Sequence, residues 1–482
     1  MLPASPAPAV PATRVAVLTS IVLCGLFRSA NAAAAEAKPN QTPAAQTPAG
    51  LSLASVFSDH MVLQRQIKVP VWGQARPDEM VTVTFNGQSK SAVTGQDGRW
   101  MVKLDELEAE RKPAELAVSD SMTTIKFTDV LVGEVWLASG QSNMEKPLGP
   151  GRHQVPCLDW QEEVAAADYP QIRLLDIPVA QAAEPASSAN GQWATCSPES
   201  IVLTPSRGVG FSACAYFFGR KLHIELNIPI GLISATRGGT ACESWTPGPS
   251  GDLYNGMIAP LTPLAMRGAI WYQGESNVGA GLSYADKMKA LIEGWRRAWG
   301  YDFSFYFVQI APFGGYSPNS LPPIWEAQVS NLKIPRTGMA VTTDLVNAIS
   351  DIHPVNKVDI GHRLALWALA KDYKRELVFS GPLYKSIKVE GRKIRLSFAH
   401  VGGGLKTRDG KPLTEFEVAD GDGKFVPAEA SLEGDTVVVQ AREVAAPVQA
   451  RLGWHNEANP NLVNNEGLPA SPFHTSGWQG LG

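Results

Sequence analysis

Between residues 51 and 129 apolar and polar positions alternate in short runs, the period-two pattern of half-buried strands. The runs are VPVWG at 69–73, MVTVTF at 80–85, and the segments 91–93 and 100–104, with Asn86 and Gly87, then Asp97 and Gly98, at the turns. Helical periodicity is missing there, so an N-terminal β-sandwich-like domain is predicted over 51–129. From 130 to 375 the pattern changes. Continuous apolar runs at 135–138, 172–177, 228–234, 269–272, 303–310 and 337–343 read as buried strands, and 211–226, 284–299 and 356–373 repeat at helical spacing. Strands alternating with helices predict an α/β domain built on a parallel sheet. From 376 to 482 short β runs return at 386–389, 393–397, 416–418, 436–439 and 449–453, predicting a C-terminal β domain. The tail from Trp454 to Trp478 has little periodicity and is expected to fold back onto a neighbouring segment.

The first fifty residues belong to neither pattern. Arg14 precedes an apolar run over 15–27, and Ser29, Ala30, Asn31 and Ala32 supply an A-x-A cleavage site, so 1–32 is predicted to be a signal peptide cut after Ala32. Cys24 lies inside that run, but the bulky Leu23 before it disfavours lipid attachment. Residues 33–50, mostly Ala, Pro, Gln and Thr, are expected to be a disordered linker. The protein is therefore predicted to be exported, periplasmic or extracellular, with no membrane association once the leader is gone.

The 482 residues carry a formal net charge of -4, which argues against a nucleic-acid scaffold or an electrostatic membrane binder. Outside the leader stand Cys157, Cys196, Cys214 and Cys242, an even number for which disulfides are permitted. Their spacing matches no zinc knuckle and there is no HExxH, so neither a metal nor another cofactor is expected.

The chemistry starts where the first buried strand of the α/β domain empties into Ser139, Gly140, Gln141, Ser142 and Asn143. Alone, such a stretch is an ordinary turn. Its company changes the reading. In open parallel sheets ligands bind at the carboxyl ends of strands, and that edge would also gather Gly238 and Gly239, the 273–277 loop, and the loop holding Asp351 and His353. A serine hydroxyl needs a base to take its proton, so Ser142 is the candidate nucleophile, His353 the base and Asp351 its orienter. His362 is a rival base, but it falls inside the 356–373 helix. An oxyanion would find backbone donors at Ser142 and Gly239, with an amide from Asn277 or Gln273 as a third.

The blocks GQSNM at 140–144, RGGTACESW at 237–245, WYQGESN at 271–277 and DIHP at 351–354 resemble, in order, those of the SGNH hydrolases, specifically the sialate O-acetylesterase family. The resemblance runs from FSDHMVLQR at 57–65 to GLPASPFHT at 467–475. It implies an SGNH-type three-layer α/β/α domain flanked by β domains, and removal of acetyl groups from sugar hydroxyls, of the sialate 9-O-acetylesterase type, through an acetyl-serine intermediate. By position it assigns the same three catalytic residues, and Gln141, Arg237, Glu243 and Trp245 to the sugar pocket. The partner is then an acetylated carbohydrate, with acetylxylan or another polysaccharide as the alternative to sialic acid. Asp351 and His353 are spaced D-x-H rather than the D-x-x-H of the wider superfamily, and only TPGPSGD joins the CESW and LYNGMI segments, which widens the expected pocket. A non-catalytic carbohydrate-binding protein is the competing reading, and a lipase or peptidase finds neither lid nor elbow motif here.

Overall fold

The structure is a computed structural model and describes residues 50–151 and 154–477. The expected leader and most of the linker lie outside these residues. The first eight strands are β1 (Ser52–Leu53), β2 (Val62–Gln64), β3 (Val69–Gln74), β4 (Met80–Phe85), β5 (Gln88–Val93), β6 (Arg99–Leu104), β7 (Glu110–Ser119) and β8 (Thr124–Gly140). β1, β3 and β6 form one small antiparallel sheet, and β4 pairs with β5 and β7, which hands over to β8. β8 is 17 residues long and crosses the point at 129 and 130 where the sequence pattern changes. Its first half alternates exposed and half-buried positions, and from Val130 onward it is buried.

That inner half is the centre of a mixed sheet. With β9 (Tyr169–Asp176), β10 (Trp193–Cys196), β11 (Ile230–Thr236), β12 (Gly268–Tyr272), β13 (Ser304–Val308) and β14 (Thr337–Ala340), the order is β10-β9-β11-β8-β12-β13-β14. Neighbours run parallel except for the edge strand β10, which is antiparallel to β9. The helices are α1 (Ser142–Glu145), α2 (Trp160–Ala165), α3 (Pro198–Val202), α4 (Ala213–Leu226), α5 (Tyr284–Trp299), α6 (Leu321–Ser330) and α7 (Lys357–Lys371).

Helices cover both faces of the sheet, as a parallel sheet requires. On one face Trp136 of β8 meets Phe218 of α4 edge-on at 5.0 Å, and Tyr306 of β13 lies 6.4 Å from Trp367 of α7. On the other, Trp271 of β12 and Phe305 of β13 both meet Trp295 of α5, at 6.0 and 5.9 Å. One continuous apolar core joins the N-terminal strands to this domain, and a second core lies within 384–473. The C-terminal β strands form two four-stranded sheets and one two-stranded sheet. No disulfide joins the four cysteines for which pairing is permitted: all are buried and unpaired, and burial pushes the thiols of Cys196, Cys214 and Cys242 up to about 12. Among the described residues no helix is long and apolar enough to cross a membrane.

Candidate active site

β8 delivers the serine. At its end Gly140 has φ +137° and lies so close to β12 that a Cβ would sit 2.2 Å from the Tyr272 carbonyl oxygen, so only glycine fits. The chain then turns into α1. The N–H groups of Met144 and Glu145 both donate to the Gln141 carbonyl, at 2.9 Å, whereas those of Ser142 and Asn143 are first-turn donors that a helix leaves without an internal partner.

Ser142 Oγ stands 2.9 Å from His353 Nε2. The histidine reaches it from the loop before α7, with its side chain 18% exposed. Asp351 is adjacent: its Oδ1 accepts the His353 backbone N–H at 2.8 Å and lies 3.5 Å from His353 Nδ1. Burial holds the His353 imidazole below its ordinary value, with the Lys357 ammonium acting in the same direction and Asp351 opposing it. A neutral imidazole is the form that can accept a proton.

The loop after β11 closes the site from the side. The Gly238 N–H donates to Glu145 Oε2 at 2.7 Å, and Gly239, with φ +73°, has a backbone N–H without a partner among the described residues. Ser142, His353, Gln141, Arg237, Gly238 and Gly239 line one cavity of about 1080 Å³, with Glu275 and Ser276 beside them. Pro147, Pro150, Val179, Val202 and Val209 make an apolar wall. Arg237 is exposed at this cavity, and its guanidinium has no partner among the described residues.

Four expected residues lie elsewhere or are occupied. Gln273 Nε2 is committed to Gln141 Oε1, the Thr240 carbonyl and Asn277 Oδ1, at 3.1, 3.1 and 2.7 Å. Asn277 Nδ2 donates to Glu243 Oε2 at 3.0 Å. Neither amide lines the cavity. Glu243 is held by Asn277 and by Lys287 at 2.6 Å, and Trp245 is fully buried with its indole N–H on Thr240 Oγ1. Neither lines the cavity. The Gln273 amide does act on the site, through Gln141. Gln141 Oε1 accepts from both Gln273 Nε2 and the Ser276 N–H, which leaves Gln141 Nε2 without a partner at the cavity wall. His362, the rival base, lies within α7 and does not line the cavity.

A set of charged residues escaped the motif reading, of which Glu145 and Arg207 line the cavity itself. Arg207 binds Glu145 Oε1 at 2.6 Å and approaches Asp176 Oδ1 at 3.5 Å, and burial raises the Asp176 carboxyl to about 6. Glu145 thus joins the helix of Ser142 to Gly238. Asn143, beside the serine, donates to Glu275 Oε1 at 2.6 Å and to the Ile352 carbonyl at 3.0 Å, and accepts from Lys357 Nζ at 2.6 Å. Arg207 and Lys357 stand in segments without a motif, so no sequence signal identifies them. Glu145 and Glu275 lie within or beside the blocks, but their roles depend on partners distant in the chain. Among the described residues no cluster of His, Cys, Asp and Glu could hold a metal ion.

This geometry has known relatives. A family model for carbohydrate esterases, the sialic acid-specific acetylesterases, matches residues 132–370. The structure of a carbohydrate acetylesterase from Xanthomonas citri superposes with a TM-score of 0.82 at 36% identity, over 89% of this chain and all of that one. The protein is thus a carboxylic ester hydrolase of the carbohydrate esterase class. The human sialate O-acetylesterase is 30% identical over 88% of this chain and 92% of its own length, and the Rattus norvegicus enzyme 28% identical over 88% and 94%. The chain belongs to the sialate O-acetylesterase family.

Proposed function

We propose that this protein removes acetyl groups from sugar hydroxyls through an acetyl-serine intermediate, with Ser142 as nucleophile, His353 as general base and Asp351 as the partner of the imidazole. The observation that carries the reading is the 2.9 Å contact between Ser142 Oγ and His353 Nε2 at the floor of an open cavity. Ser142 Oγ attacks the acetyl carbonyl while its proton passes to His353 Nε2. The oxyanion that forms takes hydrogen bonds from the backbone N–H groups of Ser142 and Gly239 and from Gln141 Nε2. The tetrahedral intermediate collapses, the sugar oxygen leaves with the proton from His353, and the acetyl group remains on the serine. Water, deprotonated by His353, then attacks the acetyl carbonyl; acetate leaves as the bond to Ser142 Oγ breaks, and that oxygen takes its proton back from His353. The helices on both faces of the sheet and the position of the serine after β8 support an SGNH-type α/β/α domain, with 51–129 and 376–482 as its β flanks. The leader pattern over 1–32 supports export.

An O-acetylated sialic acid is the favoured substrate, on two grounds. Relatives along nearly the whole chain are sialate O-acetylesterases, and the unpaired Arg237 at the cavity suits a sugar carboxylate. An acetylated neutral polysaccharide such as xylan is the second reading, supported by the size of the cavity and its apolar wall. Acetate release from both substrates, by wild type and Ser142→Ala, tests mechanism and substrate together. We expect release from O-acetylated sialic acid to fall by about 10³-fold or more in the variant. Undiminished release by Ser142→Ala overturns the mechanism, and release from xylan alone reverses the choice of substrate.

A further inference from the structure

Lys357 begins α7 with its side chain pointing into the protein, and it is completely shielded from solvent. A buried ammonium is costly unless something holds it. What holds this one is Asn143 Oδ1 at 2.6 Å and the face of Tyr272, whose ring centroid lies 4.8 Å away. Asn143 is the neighbour of the nucleophile. Its two amide hydrogens reach Glu275 Oε1 and the carbonyl of Ile352, the neighbour of the base. An ammonium can only donate and a carbonyl only accept, so Lys357 and Ile352 between them permit one orientation of the Asn143 amide.

We propose that Lys357 is a positioning residue for the esterase reaction: its buried ammonium locks the Asn143 amide that ties the helix of Ser142 to the loop of His353, and sets the field in which His353 accepts a proton. This rests on the Ser142 and His353 reading above. The groups bearing on His353 are Asp351 on its own loop, Lys357 on α7 and Lys146 just after α1, with Glu275 after β12 and the thiols of Cys157 and Cys214 around Lys357. Asp351 favours the imidazolium, and the two ammoniums oppose it. Burial lowers Lys357 to about 8, which still lies above the range in which His353 titrates. Lys357 therefore stays charged while His353 changes state. The sign follows: removing the positive charge makes the imidazolium easier to form, so the base is lost at higher pH than in wild type.

The test is kcat and KM against pH for wild type, Lys357→Met and Lys357→Gln, with thermal unfolding to establish that each variant is folded. Met keeps the length and removes both charge and donor; Gln keeps a donor without charge. In Lys357→Met we expect kcat to fall about tenfold or more with KM little changed, and the acid limb of kcat/KM to move up by about half a pH unit or more. Lys357→Gln should recover part of kcat and keep the displaced limb. A folded variant whose activity drops equally at every pH, or does not drop, overturns the proposal. Activity retained by Ser142→Ala would fail the underlying reading; loss there with an unmoved limb in both Lys357 variants fails this inference alone.

Discussion

Gly238 shows how little room the site leaves at single residues. A Cβ built there would lie 2.9 Å from Glu145 Oε2 and 3.3 Å from Ser142 Cβ. The first of these atoms accepts the Gly238 N–H, so a methyl group would push apart the bond that keeps this loop against α1. The next N–H along, that of Gly239, would move with it. Gly238→Ala should therefore lower kcat/KM for acetate release by about 10- to 100-fold while shifting the thermal midpoint by only a few degrees. Wild-type kinetics in that variant would mean that the loop tolerates the methyl and that its contact with Glu145 is not needed. At this scale Ser142, His353 and Asp351 are legible in the sequence, because each stands in a short block whose neighbours announce a strand end or a loop. The amides are not. Whether Gln273 donates to a substrate or into the protein depends on Gln141 and Thr240, which reach it from the loops after β8 and β11.

β8 illustrates the same difference for a whole element. Its apolar run over 135–138 is read from the sequence, whereas its start at Thr124 is not, because the strand passes from a half-exposed environment into a buried one. The change comes at Asp129, which has φ +54° and is held by Arg173 and His60. β7 carries the charged, proline-containing segment ERKPAELAVS and offers little alternation to detect. Inside β8 the completely buried Glu134 receives Arg65 Nε at 2.6 Å, Arg267 Nε at 2.7 Å and Gln64 Nε2 at 2.8 Å. It thereby joins the segment after β2 to the start of β12 across the strand that carries the serine. Replacing it with leucine leaves two partly buried guanidiniums without their carboxylate, and Glu134→Leu should cost about 3–5 kcal/mol in denaturant unfolding. A loss below about 1 kcal/mol would show that water or relaxation compensates the arginines.

Across the whole molecule, the unpatterned tail is what returns the chain to the catalytic domain. Ser471 Oγ lies 2.9 Å from Gln309 Nε2 just beyond β13, and His474 Nε2 lies 2.8 Å from Glu326 Oε2 on α6. Asn456 makes the most specific of these contacts. Its Oδ1 accepts the N–H of Leu321, the first residue of α6, at 3.1 Å, and its Nδ2 donates to the carbonyls of Ser317 and Tyr316 at 2.8 and 3.3 Å. Ser320, the residue before α6, offers no side-chain cap, and the helix opens on Leu-Pro-Pro. A cap lent from 135 residues away supplies what the Ser320 side chain does not, beside the prolines of the first turn. Asn456 is only 8% exposed, so truncating it leaves a helix N–H and two carbonyls poorly solvated. Its own backbone carbonyl, which accepts the Phe313 N–H, survives the substitution. Asn456→Ala should thus destabilise the protein by about 1–3 kcal/mol in urea unfolding without altering kcat per folded molecule, since none of these residues lines the cavity. Unchanged stability would mean that the tail merely rests on the catalytic domain, whereas a fall in kcat at full stability would make it part of the active site's support.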